Sequence, residues 1–291
     1  MDTSNEFHDQ VQLVTKISSH FNALTKAEKK VADYVLANME LTIYMTVTEL
    51  AEHIGVGETT VLRFCRKIGF KGYQSFKMAI TKEVATLPHD VFDESDAGEL
   101  DETQYIIQKT MTNNIQALKE TASLIDVQEL EKAIQFILAH KRVVFYGVGV
   151  SGNTAIDARN KMMRIGVITE MFIDSHIQAM SAATLTDEDV AIGISVTGST
   201  KDTVDALKIA KENGAKIVSI TQFTRSPITK ISDVVLLTGG RETALQGGSM
   251  SAKIAQLFVI DMLCNGVASR LKDKALKYKE VTANAVAEKA Y

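Results

Sequence analysis

The chain has 291 residues, of which 45% are hydrophobic and 23% charged, and a net charge of −4. That length is too great for one small core and suits two soluble, globular domains. Two cysteines, Cys65 and Cys264, lie far apart and outside any C-x-x-C pattern, which implies neither a zinc site nor a disulfide framework and fits a reducing cytosol. The first residues, MDTSNEFHDQ, are polar and acidic, unlike a signal peptide, and no apolar run approaches the ~20 residues that span a bilayer.

In chain order, the first recognisable element is Leu24 to Ala37. Thr25 and Glu28 have capping-box spacing, and Val31, Ala32, Tyr34, Val35 and Leu36 follow as a helical stripe. Thr46 to Ile54 predicts a second, short helix with Thr48 as its cap, stopped by Gly55-Val56-Gly57. Glu58 to Ile68 predicts a third helix closed by Gly69, and Tyr73 to Ala85 a fourth. No strand is expected in this region. Pro88, one of only two prolines, opens an acidic run (88–103) with seven acidic residues and no basic one. We read 1–87 as a helical domain, 88–103 as a solvated linker and 104–291 as a second domain.

Downstream the pattern changes. Helices are expected over Gln104–Ile125 and Val127–His140. Five short β-branched runs follow, at Arg142–Gly147, Val167–Ile173, Val190–Val196, Lys216–Thr221 and Val234–Thr238. Between them lie helical stretches at Gly152–Arg164, His176–Thr184 and Thr200–Asn213, a short turn after Ser226, and finally a long helix over Ser249–Leu271. Such alternation predicts an α/β domain: a five-stranded parallel sheet flanked by helices.

The helical domain carries a concentrated charge. Between Thr59 and Lys82 there are six basic residues, Arg63, Arg66, Lys67, Lys71, Lys77 and Lys82, and no acidic one. Val61, Leu62, Phe64 and Cys65 give the third helix an apolar face, leaving Thr59, Thr60, Arg63, Arg66 and Lys67 polar. Hydroxyls at a helix start with arginine one turn on suit the DNA major groove, where arginine pairs bidentately with guanine. Lys71, Tyr73, Gln74 and Lys77 are placed to reach the flanking phosphates. Here Leu24-Thr25-x-Ala27-Glu28, Glu49-Leu50-Ala51 and Val61-x-Arg63-Phe64-Cys65-x-Lys67-Ile68-Gly69-Phe70-x-Gly72-Tyr73-x-x-Phe76-Lys77 resemble the helix-turn-helix domain of the RpiR family of bacterial transcriptional regulators, over about residues 11–87.

In the second domain, Tyr146 to Asn153 (YGVGVSGN) places Gly147, Gly149 and Gly152 in the G-x-G-x-x-G spacing of a dinucleotide-binding turn. Asp174, 22 residues past Gly152, stands where a ribose-binding acid belongs. A second loop argues otherwise. Ser195, Thr197, Ser199 and Thr200 crowd around Gly198 between an apolar strand and a helix. With Ser151 in the first loop, these hydroxyls and the helix N-termini suit one small phosphate better than a long dinucleotide. Gly147-Val148-Gly149-x-Ser151 and Ile194-Ser195-x-Thr197-Gly198-x-Thr200-x-Asp202-Thr203 resemble the sugar isomerase (SIS) domain, over about residues 125–270. That resemblance implies that Ser151, Ser195, Thr197 and Thr200 hold a sugar phosphate, with threonine at position 197 where serine is frequent. His176, Glu242 and Lys253 are further candidates: a sugar hydroxyl contact, a residue in the region where the isomerases carry a basic glutamate, and a positive charge in the first turn of the last helix.

The two halves together predict a cytoplasmic regulator that binds an operator in double-stranded DNA and senses a phosphosugar effector. It is expected to act as a homo-oligomer, a dimer or tetramer, with no cofactor, metal or membrane. The alternative is a phosphosugar isomerase or lyase with an accessory domain, using Glu242 and His176 as base and acid.

Overall fold

The structure is a computed structural model and describes residues 13–86, 101–240, 249–287 and 289. The chain forms two compact units that divide between Tyr105 and Ile106, just inside the start of a helix over 102–124 that otherwise belongs to the second unit. Most of the expected acidic linker falls outside the described residues.

Among the described residues the first unit contains helices and no strand: α1 (Leu13–His20), a 3-10 turn at Phe21–Ala23, α2 (Lys26–Ala37), α3 (Met39–Thr42), α4 (Val47–Ile54), α5 (Glu58–Lys67) and α6 (Tyr73–Thr86). Thr25 caps α2 in the expected box, its hydroxyl accepting from the Glu28 amide while Glu28 accepts from the Thr25 amide. The cap of α4 is Thr46, in a second capping box with Glu49, and not Thr48. Thr48 instead donates to Glu58 across the turn, 2.8 Å. Gly55 ends α4 at φ +72°, in the left-handed region that glycine enters without steric cost. The chain therefore reverses between α4 and α5 in three residues. Val31, Val35, Leu50, Val61, Phe64, Ile68, Phe76 and Ile80 form the core.

In the second unit, α7 (Glu102–Leu124) and α8 (Val127–Ala139) lead to β1 (Arg142–Tyr146), α9 (Gly149–Met163), β2 (Thr169–Phe172), α10 (Ser175–Ala182), β3 (Asp189–Ile194), α11 (Lys201–Glu212), β4 (Lys216–Thr221), β5 (Val234–Leu237), α12 (Met250–Leu271) and α13 (Asp273–Ala287). The five strands are all parallel, in the order β2-β1-β3-β4-β5. Both sheet faces are covered. One packs against α8, α9 and α12 through Ile134, Met162, Val259, Ile260 and Leu263, the other against α10 and α11 through Ala182, Val204, Leu207 and Ala210. Contrary to the sequence expectation, one described helix, α12, is long and apolar enough to cross a membrane. Its apolar residues are used in the core instead: Ala252, Ala255, Val259, Ile260, Leu263 and Val267 are buried.

The outer edge of β5 is closed by the α7–α8 pair. Glu129 of α8 accepts from the Val235 amide, and Lys132 donates to Asp233 O. Thr121 and Glu120 of α7 accept from the amides of Gly239 and Gly240, both at 2.9 Å. A Cβ at 239 would lie 2.4 Å from Cβ of Glu120, so the approach demands glycine.

At the amino-terminal ends of the neighbouring strands β1 and β3, Arg142 donates to both carboxylate oxygens of Asp189, which also accepts from the amide and hydroxyl of Thr186. Burial works to raise the Asp189 pKa, but these partners together outweigh it and hold the carboxyl below its usual range. Asp189→Asn should cost about 2 kcal/mol near neutral pH, the scale of hydrogen bonds to a charged group. A depressed folded pKa contributes stability above the unfolded value of about 4, and that stability disappears as pH falls through the folded value. The melting-temperature gap between wild type and Asp189→Asn should therefore close on acidification below about pH 4.

Candidate functional site

On α5 the buried residues are Val61, Phe64 and Cys65, followed by Ile68, the i, i+3, i+4, i+7 stripe. The opposite face carries Thr59, Arg63 and Arg66, all exposed, with Thr60 half-buried beside them. Lys71 is exposed in the turn that follows. The amphipathic period thus sorts the expected DNA-facing residues to one side of the helix.

Three expected residues are placed otherwise. Lys67 donates to Glu28 at 2.7 Å and to Ala23 O at 3.0 Å, tying α5 to α2. Tyr73 and Lys77 are buried, and both donate to Met45 O, at 3.0 and 2.8 Å. The reason lies in α6: Tyr73, Phe76, Lys77 and Ile80 share one buried stripe. Lys77 spends its charge on a backbone carbonyl inside the unit and does not present it outward.

In the second unit the candidate ligand site lies at the carboxyl ends of β1 and β3. These neighbours pair Tyr146 with Gly193, and the chain leaves them in opposite directions, to β2 and to β4. This is the topological switch point where open α/β sheets bind ligands. The fingerprint glycines divide by role. A Cβ at Gly147 would meet Ser151 O at 2.8 Å, and one at Gly152 would meet Ile173 Cγ2 at 2.9 Å. Both are required by the protein's own packing. Gly149, at φ +57°, faces open space and is the one that brings bare backbone to the mouth. Asp174, the candidate ribose acid, caps α10 by accepting from the Ile177 amide at 3.0 Å.

The hydroxyls of the second loop are bonded within the loop, to one another or to its backbone. Ser195 is buried and its Oγ lies 2.9 Å from Thr200 Oγ1. Thr197 Oγ1 accepts from the Ser199 amide, 3.2 Å, and Ser199 is exposed. Gly198 turns at φ +61° over the buried Ser226. None of these side chains caps α11, although Thr200 occupies its N-cap position, and α9 likewise starts from Val148 with no side-chain cap. By contrast α8, α10 and α12 are capped by Asp126, Asp174 and Ser249. The two helices that begin at the switch point have first-turn amides that no side chain caps, which together with their dipoles favour an anion.

Around this centre, His176 is exposed in the first turn of α10, and Lys253 is half-buried in the first turn of α12. Glu242 lies outside the described residues. Lys201 is exposed and pairs with Asp205 one turn on, whose hydrogen bond raises the lysine pKa.

Sequence reasoning missed two buried glutamines. Gln178 donates to Gly147 O and Phe172 O, at 3.0 and 2.9 Å, holding the first loop to α10. Gln256 of α12 donates to Ser151 Oγ at 3.1 Å. A signal for Gln256 exists: it falls on the buried stripe of α12 with Ala252, Ala255, Val259 and Ile260.

Comparison with known proteins agrees with both units. Residues 11–87 match the helix-turn-helix domain of the rpiR family and residues 136–266 match the SIS domain. An HTH-type transcriptional regulator of Haemophilus influenzae, itself uncharacterized, is 40% identical over 95% of this chain and 96% of its own length. The HTH-type transcriptional regulator RpiR of Escherichia coli K12 is 30% identical over 84% of this chain and 82% of its own. Among solved structures, the Vibrio vulnificus NanR protein complexed with ManNAc-6P superposes with a TM-score of 0.85 at 27% identity, covering 96% of this chain and 99% of that one. A basic-faced helix after a tight turn, a switch-point site with two uncapped helices, and near full-length relatives lead to one conclusion: this chain belongs to the RpiR family of HTH-type transcriptional regulators.

Proposed function

We propose that the chain regulates genes of sugar or amino-sugar metabolism in the cytoplasm, its operator affinity set by a phosphosugar bound in the SIS domain. The observation that carries this is the pair of uncapped N-termini, α9 and α11, beginning beside Ser151, Ser195, Thr197, Ser199 and Thr200. The phosphate sits on those amides and hydroxyls. His176 and Glu242 are assigned to the sugar side, and Lys253 to the positive charge that the hydroxyl loops lack. The ManNAc-6P bound by Vibrio vulnificus NanR supports a hexose-type amino-sugar phosphate as the ligand class.

Thr59, Thr60, Arg63 and Arg66 are assigned to the major groove and Lys71 to phosphate. Two half-sites on DNA call for at least a dimer. An exposed stripe on α7, Ile107, Met111 and Ile115, supports a homo-oligomer. Ligand and operator are then linked, and each changes the affinity of the other by the same factor.

A thermal-shift panel of phosphosugars that includes ManNAc-6P and ribose 5-phosphate tests the sensor. At about a hundredfold excess over Kd, a true ligand should raise the melting temperature by about 5 °C or more. Ser195→Ala and Thr197→Ala should reduce that shift. A broad panel without a single hit would overturn the reading.

A further inference from the structure

Ser151 differs from the other hydroxyls of the site in being held from behind. It is 9% exposed, and its Oγ accepts from Gln256 Nε2 at 3.1 Å. The other end of that amide, Oε1, accepts from Thr154 Oγ1 at 2.9 Å. Gln256 is 1% exposed and Thr154 fully buried. The three side chains thus form one buried line running from α9 to α12 and back to α9.

The two ends of an amide are not interchangeable: the oxygen only accepts and the nitrogen only donates. Thr154 has one proton to give. Its other acceptor, Val150 O, lies at 3.5 Å, a longer and weaker bond than that to Gln256. The structure places Gln256 Oε1 against Thr154, which gives it the threonine proton, and turns the NH₂ toward Ser151. Ser151 receives that bond on a lone pair and retains its own proton. The proton is left to point away from the network, in the first turn of an uncapped helix. Phosphate oxygens accept hydrogen bonds, so a serine fixed as donor is complementary to them. With the amide reversed, Ser151 would give its proton to Gln256 and turn lone pairs toward the anion.

We propose that Thr154 and Gln256 are positioning residues that fix Ser151 as a hydrogen-bond donor to the phosphate. The proposal rests on the phosphate site described above. Neither residue touches the ligand; both act through Ser151.

Inorganic phosphate is a suitable probe, because its binding does not depend on which sugar is the effector. Its Kd is measured calorimetrically on the full chain, against chloride at matched ionic strength. Thr154→Val keeps the shape and removes the proton that orients the amide; it should weaken phosphate binding about fivefold, the scale of one neutral hydrogen bond. Thr154→Ser keeps the hydroxyl and should bind as wild type does. In a Ser151→Ala background, Thr154→Val should have no further effect, since the line it controls has lost its end. A packing role predicts the reverse order, with the serine variant the worse and the penalty persisting without Ser151. Equal phosphate affinity in wild type and Thr154→Val would overturn the relay while leaving the site intact. No phosphate binding by the wild-type chain would overturn the site itself and the relay with it. Should the valine variant fail to fold, Thr154→Ala against Thr154→Ser gives the same comparison.

Discussion

Replacing Arg63 and Arg66 together by alanine should reduce operator affinity about a hundredfold or more, since each arginine–base contact is worth about 1–3 kcal/mol. Both side chains are exposed on the outer face of α5, opposite Val61, Phe64 and Cys65. The fold should therefore survive, with a melting temperature close to wild type. An operator selected by the wild-type protein from random duplexes supplies the target, and fluorescence anisotropy at several salt concentrations supplies the reading. Arginines that contact phosphates would lower the slope of log K against log salt by about 0.9 each. Arginines that read bases would leave more of the slope and flatten the preference among sequences. Unchanged affinity for the selected operator would remove α5 from the interface.

The second large effect is expected at Gly198. Its φ is +61°, and a Cβ there would lie 2.2 Å from Ser226 Oγ and 2.9 Å from Thr221 Oγ1. Gly198→Val combines left-handed strain of about 1–2 kcal/mol with overpacking of about 1–3 kcal/mol. Ser226 and Thr221 are buried, so neither can withdraw into solvent. Together these should destabilise the second unit by about 3 kcal/mol, lowering its calorimetric transition by about 6–12 °C. The loop that positions Ser195, Thr197 and Thr200 would be displaced as well, and stabilisation by a phosphosugar should disappear. A valine variant that keeps the wild-type ligand shift would show that the loop tolerates a second shape and does not set the site.

Much of this architecture can be read from local sequence. The Thr25–Glu28 box marks the start of α2, and alternating β-branched and helical runs predict all five strands and that they run parallel, though not the order in which they lie side by side. Less legible are α1, the short α3 and α13, which lack a strong stripe bounded by caps. The site residues show where such reading fails. Lys77 and Gln256 are both polar residues on an apolar stripe. Charge suggests that Lys77 faces outward, whereas helical period places it inward, and period prevails because Met45 O is there to receive the amine. The glycine spacing after β1 likewise names a turn without naming a ligand. Two of its three glycines answer to neighbouring backbone and to Ile173, and only the packing reveals which.

The clasp of α7 and α8 on β5 also decides what can be cut out of this protein. The SIS match begins at residue 136, inside α8, and ends at 266. A fragment with those ends would lose Glu120, Thr121, Glu129 and Lys132, leaving the amides of Val235, Gly239 and Gly240 without their acceptors and the sheet with a bare margin. It would also lose Ile134, whose Cδ1 lies 2.3 Å from where a Cβ on Gly266 would stand. A fragment that keeps these contacts therefore has to carry α7 and α8 in addition to the homologous core.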